Sequence, residues 1–162
     1  MLRTDRFLVA IVAGALLLVV VAFAVTLTRP APSYREGAEP ADIAYNYVLA
    51  LQRKDYPRAY GYLSPSLKGY PDSADAFAAD VQQNLWSFQP QAGTLQVEKT
   101  EALTEQAQVW LRTTSFQQGG LLDSSPSTRT STMTLRPETG GWKIISADSY
   151  WVWCWDSEDG CS

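Results

Sequence analysis

The sequence predicts an α+β protein: a single N-terminal transmembrane helix, then about three helices, then an antiparallel sheet of four or more strands. Three observations carry this. Phe7 to Thr28 is a run of 22 residues without a charge. From Asp42 to Phe88 apolar residues recur at helical spacing. After Gly93 the period changes to strict alternation, which persists to Ala147. Helices followed by strands, rather than the two interleaved, is the α+β order.

The apolar run is FLVAIVAGALLLVVVAFAVTLT. As a helix it would be about 33 Å long, enough to cross a bilayer core of about 30 Å. Arg3 and Arg6 precede it, so the positive-inside tendency keeps residues 1–6 in the cytoplasm and sends the C-terminal domain out. Arg29 just beyond the run weakens that asymmetry without reversing it. A cleaved signal peptide is the competing reading, because Ala22-Phe23-Ala24 follows an apolar stretch of 15 residues with small–x–small spacing. No polar segment precedes Ala24, and the apolar stretch continues to Leu27, which favours an uncleaved anchor. Both readings place the domain in the periplasm or cell exterior. No cysteine lies near the run, which excludes a lipoprotein anchor.

The 162-residue chain leaves about 130 residues beyond the anchor, enough for one domain with its own core. Setting aside Arg3, Asp5, Arg6 and Arg29 leaves 10 basic and 16 acidic residues, a net of −6. Nucleic acid is therefore not expected as a partner, since phosphate binding needs a basic face. There is no histidine, which removes the commonest general base and the commonest metal ligand. Neither a cofactor nor a metal site is expected.

Residues 29–41, rich in proline and polar side chains, read as a stiff linker. Asp42 to Lys54 carries Ile43, Tyr47, Val48 and Leu51 on one stripe. Asp55 has the character of an N-cap, with Pro57 in the first turn of a short second helix whose Ala59, Tyr60 and Leu63 face inward. Ser64-Pro65 ends it. Asp72 or Ser73 caps a third helix reaching about Ser87, with Phe77, Val81, Leu85 and Phe88 on its buried stripe and Gln89-Pro90 as its stop. Strands follow at 94–101, 106–116, 129–136 and 142–147. A loose loop spans 117–127, and Glu138-Thr139-Gly140-Gly141 forms a hairpin turn. The tail, 149–162, either extends the last strand or folds back over the domain.

Three stretches resemble the nuclear transport factor 2-like superfamily, also called the cystatin-like superfold. Residues 44–65 look like that family's opening helix, polar turn and short second helix. Ser73-Ala74-Asp75-Ala76-Phe77 is similar to the start of its third helix, and Gly140-Gly141-Trp142-Lys143-Ile144-Ile145 to the final strand of many extracytoplasmic members. The resemblance covers residues 42–148. It implies a curved sheet wrapping the helices into a cone, often with a pocket. Enzymes of the superfamily place an acid–base pair there, commonly with histidine, aspartate or tyrosine. Without histidine the dehydratase-like arrangement does not carry over. An isomerase-like site would draw on Tyr47, Tyr60 and Asp80, though no spacing singles them out.

Several side chains admit two readings. Asp80 is either a pocket acid or a solvated residue beside the apolar stripe. Tyr45, Tyr47, Tyr56, Tyr60 and Tyr62 either line a pocket or pack the core and its rim. Trp151, Trp153 and Trp155 share one face if the tail is extended, forming a packed lid or an exposed interface. Cys154 and Cys161 are the only cysteines, and an oxidising compartment favours a local disulfide between them over free thiols or a bridge to another chain. Asp156, Glu158 and Asp159 contain part of a calcium-loop pattern but lack its full ligand set, and an acidic turn is the plainer reading.

No catalytic motif stands out. The expected function is a membrane-anchored, non-catalytic interaction module: an accessory or assembly subunit of a membrane complex, with the lipid bilayer and other membrane or envelope proteins as partners. The alternative is a ligand-binding or enzymatic cone with a pocket carboxylate and nearby tyrosines.

Overall fold

The computed structural model describes residues 6–27, 31–88, 93–118, 124–158 and 160–161, with the side chains of 6, 8, 25–27, 116–118 and 124–126 outside the description. The chain divides into two units, residues 1–33 and 34–162.

In the first unit, Arg6–Leu27 forms α1, a 22-residue helix. Its described side chains are exposed, on every face from Val9 to Ala24. Among the described residues no helix is long and apolar enough to cross a membrane.

The second unit is an α+β domain. Its helices are α2 (Pro40–Gln52), α3 (Tyr56–Tyr60) and α4 (Ala74–Gln83). Its strands are β1 (Gly93–Ala102), β2 (Ala107–Gln118), β3 (Ser124–Glu138) and β4 (Gly141–Ala147), all antiparallel in the order β1-β2-β3-β4. Consecutive strands are neighbours, so the sheet is a simple meander.

α2 begins at Pro40, two residues earlier than expected, because proline's fixed φ suits a first helical turn. Its burial is broader than one stripe: every residue from Ala44 to Leu51 is buried, which makes α2 the central helix. Asp55 caps α3 by accepting from the Arg58 backbone N–H at 3.4 Å, and Ser73 caps α4 by accepting from Ala76 N–H at 3.1 Å.

Four expectations are corrected. α4 stops at Gln83, not near Ser87, with the Asn84 backbone leaving helical geometry. Phe77, Val81 and Phe88 remain buried, but Leu85 is 54% exposed. The stop expected at Gln89-Pro90 lies outside the described residues. The loop expected at 117–127 is largely strand, because the β2–β3 ladder runs to Gln118 opposite Ser124, and 119–123 lie outside the described residues. The linker is shorter than 29–41: Tyr34 donates from its hydroxyl to Asp55 (3.0 Å), and Arg35 and Asn46 exchange two hydrogen bonds of 2.8 and 2.9 Å. Of the two paths left open for the tail, the structure shows the one that folds back over the domain, with a 3-10 turn at Trp153–Asp156.

The sheet's inner face presents Leu95, Val109, Leu111, Met133, Leu135 and Ile144 to the helices. The register slips between Val97 and Lys99 on β1 and again where Leu135 meets Ile144, each leaving one residue unpaired. Such bulges bend a strand and raise its twist, which curves the sheet around α2. The free edge of β4 is covered: Ser64 N–H donates to Ile144 O and Ile144 N–H to Tyr62 O, both at 2.9 Å. The β3–β4 hairpin turns through Thr139-Gly140, with Gly140 and Gly141 at φ of +103° and +120°, a region that suits glycine.

Candidate functional site

Each of the expected pocket residues bonds to a different partner. Tyr47 lies at the centre of α2, fully buried, and its hydroxyl donates to Tyr150 O at 2.7 Å. Burial alone pushes its phenol well above the usual tyrosine range, so it is a fixed neutral donor. Tyr60 donates to Pro71 O at 2.9 Å and stacks on Tyr70 with centroids 5.0 Å apart. Asp80 accepts from the Trp155 indole N–H at 2.9 Å. The opening-helix tyrosines pack: Tyr56 and Tyr60 both contact the Phe77 ring, and the Arg35 guanidinium covers Tyr45 at 4.1 Å.

Trp155 explains this dispersal. It is completely buried, stacked on Phe77 (centroids 5.2 Å), edge-on to Phe88 (6.0 Å) and edge-on to Trp151 (5.1 Å). The tail thus places an indole among the helices, and its one polar atom is satisfied by Asp80. Trp151 is also buried and donates from its indole to Asp156 Oδ2 at 3.0 Å. Trp153 alone of the three points outward, 71% exposed. The condition for a shared tryptophan face, an extended tail, is not met, because the 3-10 turn rotates alternate indoles to opposite sides.

Cys154 and Cys161 form a disulfide that closes the tail on itself. Of the acidic residues inside that loop, Asp156 is held by Trp151, Glu158 pairs with Lys68 at 3.0 Å, and Asp159 lies outside the described residues. The disulfide loop, Lys68 to Asp72 and Asp80 line a cleft of about 420 Å³. Gly69 lets the tail approach: its N–H donates to Trp155 O at 3.0 Å, and a Cβ there would overlap the Cys154 carbonyl.

A second groove, about 290 Å³, lies between the exit of α4 and the tail. Trp86, Trp153, Asp148, Asp156, Asn84 and Ser87 are among the residues that line it. Trp86 is 70% exposed. Reading the sequence for a buried stripe passed over Trp86. No helical stripe could have placed it, because α4 ends at Gln83 and even Leu85 of the expected stripe is exposed.

No protein-family model and no curated protein matches the chain. Solved structures do. One, described as a calcium/calmodulin-dependent protein kinase type II association domain from Thiobacillus denitrificans, superposes with a TM-score of 0.50 at 11% identity, covering 72% of this chain and 95% of its own. A SEC-C motif containing protein from Rhodopseudomonas palustris reaches 0.49 at 16% identity, covering 71% and 81%. An NTF2-like protein of unknown function from Cytophaga hutchinsonii reaches 0.39 at 14% identity, covering 70% and 89%. Identities this low speak to fold alone. The domain shares with the Thiobacillus denitrificans structure the α+β fold of helices packed against a four-stranded antiparallel meander.

Proposed function

We propose that the chain is a membrane-anchored extracytoplasmic interaction module, a non-catalytic accessory or assembly subunit of a membrane protein complex. The observation that carries the non-catalytic part is Trp155. It fills the space among the helices where a pocket would need room, and it engages Asp80, the carboxylate best placed to serve as an acid or base. Acid–base work in such a fold needs a carboxylate facing substrate. An enzymatic site inside the cone would require the tail to withdraw, and Asp80 opens instead to the cleft it shares with Lys68 to Asp72.

The anchor rests on residues 7–28. A 22-residue helix rises about 33 Å, and the polar groups of its backbone are satisfied within the helix, as a lipid interior demands. Its exposed Leu, Val, Ile and Phe side chains are costly in water and at home in hydrocarbon. The arginines at its N-terminal end set its orientation.

Affinity capture of the full chain from gently solubilised membranes tests the module. Co-purification of defined membrane or envelope proteins is the expected result, and recovery of a lone monomer would count against it. Protease added to spheroplasts, whose outer envelope is opened and inner membrane intact, should digest a C-terminal tag and spare an N-terminal one. The reverse pattern would remove the extracytoplasmic assignment.

A further inference from the structure

The groove beside α4 has a chemistry that the fold leaves unused. Trp86 and Trp153, which both line it, stand 70% and 71% exposed, an unusual display of indole to water. Two exposed carboxylates share the groove. Asp148 Oδ1 accepts from the Thr132 backbone N–H, and Asp156 Oδ2 accepts from the Trp151 indole, both at 3.0 Å. These bonds fix the orientation of each carboxylate. Among the described residues, Asp148 Oδ2 and Asp156 Oδ1 have no hydrogen-bond partner. Among the described residues no lysine or arginine lines the groove.

An indole face carries the negative end of a quadrupole, and exposed cations settle against it. Two carboxylates and two exposed indoles lining one groove therefore select for positive charge carried on an apolar stem. The net charge of −6 beyond residue 29 adds long-range attraction for a basic partner. We propose that this groove receives a lysine side chain from a basic segment of a partner protein. The methylenes lie along the indoles, and the ammonium donates to Asp148 Oδ2 and Asp156 Oδ1. A quaternary ammonium has no N–H to answer those oxygens, which is why lysine is favoured over a choline headgroup. The inference rests on the interaction-module reading and names the chemistry of the partner.

The test uses the full chain in micelles of an uncharged polyoxyethylene detergent. It is titrated with acetyl-Gly-Lys-Gly-amide while the indole N–H resonances are followed by NMR. The Trp86 and Trp153 signals should move and saturate in roughly the millimolar range, as expected of a single exposed ammonium site. Trp153→Ala should weaken binding about fivefold, and Asp148→Asn with Asp156→Asn at least as much. Asparagine keeps an acceptor for Thr132 and Trp151, so an unchanged melting temperature separates lost binding from lost fold. Equal binding of the Nζ-acetylated peptide, tighter binding of choline chloride, or no shift at either tryptophan would overturn the proposal. In affinity capture, a Trp153→Ala chain that retains the same partner at the same yield overturns this inference and leaves the module reading standing. A lone monomer from the unmodified chain defeats the module reading itself.

Discussion

Tyr47 and Tyr150 join the central helix to the tail through one buried hydrogen bond of 2.7 Å across 103 residues of sequence. Tyr150 has a φ of +60°, a conformation that costs a non-glycine residue about 1–2 kcal/mol. The Tyr47 hydroxyl helps to hold it there. Tyr47→Phe leaves the Tyr150 carbonyl buried and unpaired and should cost about 1–2 kcal/mol in urea denaturation. Trp155 divides into two contributions that substitution can separate. Trp155→Ala opens a cavity and should cost about 3–5 kcal/mol, whereas Trp155→Phe keeps much of the ring packing and loses the bond to Asp80, for about 1–2 kcal/mol. If the two variants were equally destabilised, the stacking on Phe77 and Phe88 would not be what matters. Glu138 offers a pH signature. Burial pushes its carboxyl up, but hydrogen bonds from Ser64 (2.6 Å) and Arg136 (2.9 Å) to the ionised form outweigh that and hold it below the usual carboxylate range. Its stabilisation is therefore complete above the ordinary glutamate value near 4.3 and is lost as pH falls through the lowered folded value. Melting temperatures between about pH 2 and 6 should show Glu138→Gln with a flatter acid limb than the parent chain.

Among the elements, the tail is the one that the sequence left open. Alternation identified β1, the start of β2, the end of β3 and β4 because Leu95, Val109, Leu111, Met133, Leu135 and Ile144 all answer to one inner face. The serine-rich start of β3 escaped notice, since backbone ladders pair without apolar side chains to advertise them. The caps at Asp55 and Ser73 were legible as residue types with a fixed role. The path of Tyr150 to Cys161 was not, because it is set by long-range contacts: the Tyr47 hydroxyl, the Gly69 N–H and the Phe77–Phe88 gap. For the same reason Asp80 was singled out without its actual partner. Two devices hold the tail. The Cys154–Cys161 bridge closes a short loop, and its reduction should cost about 2–3 kcal/mol by the chain-entropy argument. Gly69→Ala should disturb the same segment, because the added methyl meets the Cys154 carbonyl. Faster amide exchange at Trp155 with little change in β2 and β3 would be the mark of a local effect.

At the scale of the whole molecule, the two units distribute their apolar side chains differently. α1 carries apolar side chains around its full circumference, whereas the domain confines its own to an interior shared by α2, the sheet and the tail. The uncharged run was plain in the sequence, as was the α+β order. The fold was legible through the opening helices and the Gly140-Gly141 hairpin. A binding groove was not legible, because Trp86 and Trp153 are 67 positions apart and only the early end of α4 and the folded-back tail bring them to one place. The same folding back has a consequence for biosynthesis. Until the ribosome has made residue 155, the gap between Phe77 and Phe88 stays open, and any product cut short at β4 would expose a greasy socket. Such fragments should be bound by chaperones or destroyed by quality-control proteases rather than persist as a smaller working domain.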